Sequence, residues 1–340
     1  MIRFIVSALL LGTFFQGNGL SVAEEEPLDL PYPLVYPPQA LPFIDRWFSP
    51  TWEVLPSKND LSAVIGYQTP VKSQQRRGIC SVFSALGIYE ALLNKAYKLP
   101  LDFSENYLAF IVSSKIQTNA LSGTTAPQNF LGVRFRGLIE EHSWPYEGED
   151  WLAFSLSAAE EDQREKTCGA LTGNRKKLCF KVHRDPYQAD PFVREARVVA
   201  QRYRTQSVEA VVVGNILEVK RRLLQNEPLL LELTFFYGAW NHRQMWDVGL
   251  GEPNSDLWNQ GKVGIPTAAD MTASRLKPAG HSIVIVGYDD EKRIYQFKNS
   301  WGTEGFGQES DLLGPGTTPG YGTIPYDYAH AHGTFYRVRY

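Results

Sequence analysis

Residues 80–97 constrain the fold more than any other part of the chain. Phe83, Leu86, Glu90, Leu93 and Tyr97 recur at helical spacing, and Val82, Ile88, Tyr89 and Leu92 widen the apolar surface to most sides of the helix. A helix of this kind has to be buried inside a larger body. A cysteine, Cys80, stands at its first position, and a glutamine, Gln74, lies six residues earlier.

The body is large enough to bury such a helix. The chain has 340 residues, 43% hydrophobic and 13% aromatic, which suits one large domain or two smaller ones with a sizeable core. A net charge of −3 gives no reason to expect a nucleic-acid partner. No internal apolar run approaches the ~20 residues of a membrane span, so no stable membrane insertion is expected.

The N-terminus reads as a targeting segment. Arg3 precedes an apolar run from Phe4 to Phe15, followed by the small residues around Ser21 and Ala23 and then Glu24, Glu25 and Glu26. Residues 1–23 are therefore expected to be a signal peptide cleaved near Ala23, and the protein secreted or periplasmic. The alternative is an uncleaved anchor, for which the run is short. Export permits disulfides. Of the three cysteines, Cys168 and Cys179 flank a short segment read as a loop and are expected to pair, the alternative being two separate buried thiols. That pairing leaves Cys80 outside the disulfide.

Residues 24–60 contain Pro27, Pro31, Pro33, Pro37, Pro38, Pro42, Pro50 and Pro56, which excludes a central strand or helix interior and favours extended backbone. Tyr32, Tyr36, Phe43, Trp47, Phe48 and Trp52 are too many aromatics for a disordered linker. An extended arm packed on the body is expected. Beyond it, Ser104 is a candidate N-cap for a second helix. Residues 158–166 and 194–204 are charged and helix-prone, with solvated faces. A helix is expected at 219–225, an apolar strand at 229–236, loop at 237–280, strands at 281–288 and 293–299 around a turn at Asp289-Asp290, loop at 314–322, and a last strand at 333–339. Helices early and strands late point to an α+β protein with two lobes.

A thiol at a helix N-terminus is favoured as thiolate by the local partial positive charge. A histidine beside it would complete a nucleophile–base pair, and an amide acceptor would orient the ring. His281 and Asn299, at the ends of two expected strands, are the candidates. The Gln74 amide and the Cys80 backbone N–H are candidate oxyanion donors. Against this, a lone buried cysteine is more often structural, and each of the six histidines is more often incidental.

The motifs carry more. Thr69-Pro-Val-Lys-Ser-Gln74 followed by Cys80-Ser-Val-Phe-Ser-Ala85 resembles the nucleophile region of the papain family of cysteine peptidases. Phe103-Ser-Glu-Asn106 is similar to the start of that family's next helix, and Trp144-Pro-Tyr-Glu-Gly148 to its Tyr-Pro-Tyr segment. Gly280-His281 with Val286-Gly-Tyr288 resembles its histidine strand, and Phe297-Lys-Asn-Ser-Trp-Gly302 its asparagine motif. The order is the family's, over roughly residues 65–340. The resemblance implies a papain-like two-lobed α+β fold, a helical left lobe and a β-rich right lobe with the cleft between them. It implies Cys80 as nucleophile, His281 as base and then acid, Asn299 as orienter, Gln74 as oxyanion donor, and Trp301 as a shield over the His281–Asn299 bond. Gly123 would line the cleft and bind substrate backbone. A secreted bacterial endopeptidase acting on a peptide or protein and needing no metal and no organic cofactor is the implied protein; an exopeptidase, an amide hydrolase or a catalytically silent peptide binder are the alternatives.

The departures are as definite. Arg77 stands where the family has a disulfide cysteine, Ser81 where it has tryptophan, and Gln75 where it has glycine. Cys80 and His281 lie about 200 residues apart, against roughly 130–150 in the family signature, which implies a domain over 61–340 with insertions near 149–206, 237–280 and 308–320. The usual folded prodomain has no room, so the arm at 24–60 is a candidate short pro-segment over the cleft. His330 and His332 lack a third ligand for a metal, and His242 is expected in the right-lobe loop.

Overall fold

A computed structural model describes residues 54–116, 123–149, 151, 156–185, 191–205 and 207–339. The expected signal peptide, and the arm before residue 54, lie outside the described residues.

The centre is a six-stranded antiparallel sheet in the order β1-β6-β2-β3-β4-β5. The strands are β1 (Glu209–Val213), β2 (Leu229–Phe235), β3 (Ala279–Asp289), β4 (Ile294–Lys298), β5 (Tyr321–Pro325) and β6 (Gly333–Arg339). The middle strands are apolar without alternation because both their faces are covered. Leu229, Leu231, Leu233 and Phe235 of β2 join Ile283 and Ile285 of β3 in one core. Leu230, Val284 and Val286 enter a second core on the opposite face. Each such fully buried side chain contributes about 1.5–3 kcal/mol.

The first helices are α1 (Leu61–Ile65), α2 (Cys80–Tyr97), α3 (Glu105–Ile111) and α4 (Ala126–Arg136). The second core is α2 laid against β3. Ser81 to Leu92 are all buried, and a Cβ on Gly87 would sit 3.4 Å from Val284 Cγ2, so helix and strand approach closely there. Ser104 caps α3 by accepting from Tyr107 N at 3.0 Å. The described end of the arm packs on β3, where Tyr288 Oη donates to the Pro56 carbonyl at 2.7 Å and Asn59 bonds across the bulge at Gly287.

The block near 149–206 holds α5 (Ala158–Cys168), α6 (Gly173–Val182) and α7 (Pro191–Ala200). The charged face of α5 is solvated, with a capping box from Ser157 and Glu160. Leu178 and Val182 of α6 and Val193, Ala196 and Ala200 of α7 pack on Tyr107, Phe110 and Ile111 of α3, around Trp144. The segment between Cys168 and Cys179, read as a loop, is mostly helix. Its lysines and Leu178 are good helix formers, and that apolar edge gains burial against α3.

The remaining helices are α8 (Ile216–Leu224), α9 (Ser255–Asn259), α10 (Ala268–Ser274) and α11 (Tyr326–His332). Residues 237–280 are therefore not wholly loop. Asn254 and Thr267 cap α9 and α10 through their side chains, a signal the glycines of that region obscure. The loop expected over 314–322 ends at Gly320, because Tyr321 starts β5 against Lys298.

Candidate active site

Cys80 is the first residue of α2, half-buried and outside the disulfide. The loop before it is tied to the segment after β4. Gln74 N donates to the Ser300 carbonyl at 2.7 Å, Gly302 N donates to the Lys72 carbonyl at 3.1 Å, and Ser73 bridges Trp301. Gln74 is 0% exposed. Its Oε1 accepts from Ser300 Oγ at 2.7 Å, and its Nε2 donates to the Arg77 carbonyl at 3.0 Å. An amide nitrogen carries two hydrogens, so one remains for another acceptor. Gln75 has φ +50°, the left-handed backbone expected of glycine there, and its side chain lies against Gly148. The glutamine thus keeps the loop's turn at a cost of about 1–2 kcal/mol.

His281 lies on β3 opposite Leu233 and is 1% exposed. Its Nε2 is 2.9 Å from Asn299 Oδ1. That oxygen also accepts from Ser300 N at 2.8 Å, which fixes the orientation of the Asn299 amide. A carbonyl oxygen only accepts, so Nε2 must carry the proton and Nδ1 is the basic nitrogen of the neutral ring. Nδ1 makes no hydrogen bond among the described residues. Trp301 stacks on the imidazole at 4.5 Å and 23°, Trp240 meets its ring at 5.2 Å, and Phe235 closes the box at 6.1 Å. Burial lowers the His281 pKa to about 4, against a smaller upward pull from Asn299.

The two sides meet. Asn299 and Ser300 line a cavity of about 20 Å³ together with Phe83, Ser84 and Gly87 of α2, Val284, and a polar group at its floor. There Lys72 pairs with Glu105 at 2.7 Å, and Lys298 donates to the Thr69 carbonyl at 2.6 Å. Thr69 Oγ1 in turn donates to Glu90 Oε2 at 2.7 Å. Burial lowers the Lys298 pKa to about 8.

Gly123, φ +54° and half-buried, precedes Thr124, whose Oγ1 is 2.7 Å from the Oγ of Ser81, the residue after Cys80, and donates to Asn129 Oδ1 at 2.7 Å. Ser81, the residue in place of tryptophan, thus links α2 to the 123–125 segment. Cys168 and Cys179 form a disulfide joining α5 to α6, in a small core with Trp151. His330 Nε2 of α11 is 2.7 Å from Tyr295 Oη of β4, and His242 is buried beside Trp301 and Trp258. Among the described residues no group of three or more His, Cys, Asp or Glu could hold a metal, and no helix is long and apolar enough to cross a membrane. Sequence reasoning missed Ser300, whose N–H and hydroxyl orient Asn299 and Gln74. Its signal was its place between Asn299 and Trp301.

No protein-family model matches the chain. Chicken cathepsin K (Gallus gallus) is 36% identical over 86 residues, 25% of this chain and 25% of that protein, so the chain spans about a quarter of that relative's length. Among solved structures, xylellain, a cysteine protease from Xylella fastidiosa, is similar with a TM-score of 0.54 at 19% identity, over 84% of this chain and 87% of that one. Digestive procathepsin L2 from Tenebrio molitor larval midgut is similar with a TM-score of 0.50 at 19% identity, over 85% and 70%. The central antiparallel sheet, the helix that begins at Cys80 and these likenesses together give the chain a papain-like fold.

Proposed function

We propose that the chain is a cysteine peptidase. Cys80 is the nucleophile, His281 the general base and then acid, and Asn299 the group that orients it. The observation that carries the reading is the His281 Nε2–Asn299 Oδ1 bond, whose polarity is set by Ser300 N and which leaves Nδ1 as the base. Trp301 covers that bond and keeps water from competing for it.

In this mechanism Nδ1 takes the Cys80 proton. Burial alone holds the imidazole neutral, so the imidazolium is stable only while a thiolate faces it. The thiolate adds to the carbonyl carbon of a peptide bond. The oxygen gains negative charge and accepts hydrogen bonds from the remaining Gln74 Nε2–H and the Cys80 N–H. His281 then protonates the leaving amine. A water molecule deprotonated at Nδ1 attacks the acyl-enzyme and restores the thiol. Gly123 binds substrate backbone at the rim.

The substrate class is a peptide or protein cut at internal bonds, and the chain acts outside the cytoplasm after removal of residues 1–23. The arm at 24–60 serves as a short pro-segment, and N-terminal sequencing of the active protein checks this: full activity with the arm intact contradicts it. Cys80→Ala tests the chemistry. Hydrolysis of a casein-type substrate should fall to background while the fold, followed by circular dichroism, is retained; persistent hydrolysis contradicts the reading. Cleavage only at chain ends of model peptides would assign an exopeptidase instead.

A further inference from the structure

We infer that Arg77 is a positioning residue for the loop that carries Gln74 and Cys80, held by hydrogen bonds where the resembled family uses a disulfide; the inference rests on the reading of Cys80 as nucleophile. Arg77 is 1% exposed, an unusual place for a guanidinium. Its Nη1 donates to Asn106 Oδ1 of α3 and to the Glu147 carbonyl, the latter at 3.0 Å. Asn106 Nδ2 donates to the Pro145 carbonyl at 2.7 Å, so α3 and residues 145–147 are clamped by one amide and one guanidinium. The guanidinium lies over the Tyr146 ring at 5.2 Å, and Tyr146 Oη donates to the Gln74 carbonyl at 2.6 Å.

The arginine's own backbone is part of the loop. Its carbonyl accepts from Gln74 Nε2 at 3.0 Å and from Ile79 N at 2.9 Å, and its N–H donates to the Gln74 carbonyl at 3.1 Å. Side chain and backbone therefore fix opposite ends of one unit. The side chain fastens it to α3 and residues 145–147, and the main chain aims the Gln74 amide and leads into the first turn of α2. Nε and Nη2 of Arg77 have no hydrogen-bond partner among the described residues. A buried group with unmet donors is a poor choice for stability alone. Its use here is geometric: two acceptors on two segments are held by the two hydrogens of one guanidinium nitrogen, Nη1.

The test compares wild type with Arg77→Met, Asn106→Ala and the double variant. Three quantities are read: kcat and KM for a fluorogenic peptide, the rate at which iodoacetamide alkylates Cys80, and hydrogen exchange of the peptide covering 75–79. Alkylation needs the thiolate but no oxyanion donor, so it separates positioning of Gln74 from loss of the nucleophile. The inference expects kcat to fall about ten- to a hundred-fold, the scale of a ~1 Å misplacement. KM and alkylation should stay within about three-fold, and exchange over 75–79 should speed up while 83–92 keeps its protection. Asn106→Ala should reproduce this, and the double variant should be no worse than Arg77→Met, since both remove one link. Unchanged kcat and exchange overturn the inference, as does faster exchange throughout α2. Should Arg77→Met not fold, Asn106→Ala alone decides by the same readouts. If wild type is alkylated but hydrolyses nothing, the peptidase reading fails, and the exchange over 75–79 still decides whether Arg77 holds the loop.

Discussion

The two walls of the candidate site are held by different physics. His281 and Asn299 stand near the ends of paired strands, and the His281 ring is boxed by Trp301, Trp240 and Phe235. The register of β2 with β3 and of β3 with β4 places them, and a slip of one residue would turn every side chain to the other face. Cys80 and Gln74 sit at a helix start and on an irregular loop, where no repeating ladder fixes position. That loop depends on single side chains: Ser300 on Gln74, Tyr146 on the Gln74 carbonyl, and Arg77 on Asn106. Three departures from the resembled family, at 75, 77 and 81, fall on this second wall. A loop-held wall is fastened by single side chains, whereas a sheet-held wall is fastened by its register.

The comparison is broken most strongly on the sheet side. In the proposed mechanism His281→Ala removes the base and should lower kcat/KM by about 10²–10⁴-fold, the usual contribution of general base catalysis. Gln74→Ala on the loop side should lower kcat by about 10²–10³-fold, the cost of one oxyanion donor. Its effect on Cys80 alkylation should be small, which a parallel iodoacetamide assay checks.

A third prediction concerns acid. Burial lowers the pKa of His242 to about 3 and of His330 to about 4. For His242 the cations Arg243 and Lys277 lower it further, and for His330 Lys220 does so while Asp327 opposes. The unfolded chain binds these protons near pH 6.5 and the folded chain does not. Stability is therefore complete above pH 6.5 and falls as pH drops toward 4, by up to about 1.4 kcal/mol per pH unit per histidine. Urea midpoints at pH 7, 5.5 and 4.5 should decline in that order; a flat series contradicts the burial of these rings as neutral groups. The smallest expected effect on activity belongs to the Cys168–Cys179 disulfide, which lies in a separate small core with Trp151 and has a sequence separation of 11. Replacing both cysteines by serine should destabilise α5–α6 by about 2–4 kcal/mol and lower the melting temperature, with kcat within about two-fold.

Much of the fold was legible in the sequence where local pattern and burial agree. The helix from Cys80 to Tyr97 and the strands β2, β3, β4 and β6 fall within a few residues of the expected limits because each is a dense apolar run. The helix at 173–182 was not legible, since Gly173 and a run of lysines hide an apolar edge that matters only once Trp144 is beside it. β1 escaped because its strand character depends on pairing with β6 at the far end of the chain. In the site, Cys80, Gln74, His281, Asn299 and Trp301 were named from motifs. The partners of Arg77, Ser81 and Ser300 were out of reach, because each is a contact between segments distant in sequence.

The pH dependence of Cys80 alkylation, in wild type and in His281→Ala, tests the central claim most directly. Cys80 is the one cysteine outside the disulfide, so a single thiol reports. A thiolate paired with the His281 imidazolium predicts that wild type still reacts well below pH 7. The variant should need a clearly higher pH to react, its midpoint moving toward the ~8.5 of an ordinary thiol. Superimposable profiles would contradict the pairing of Cys80 with His281.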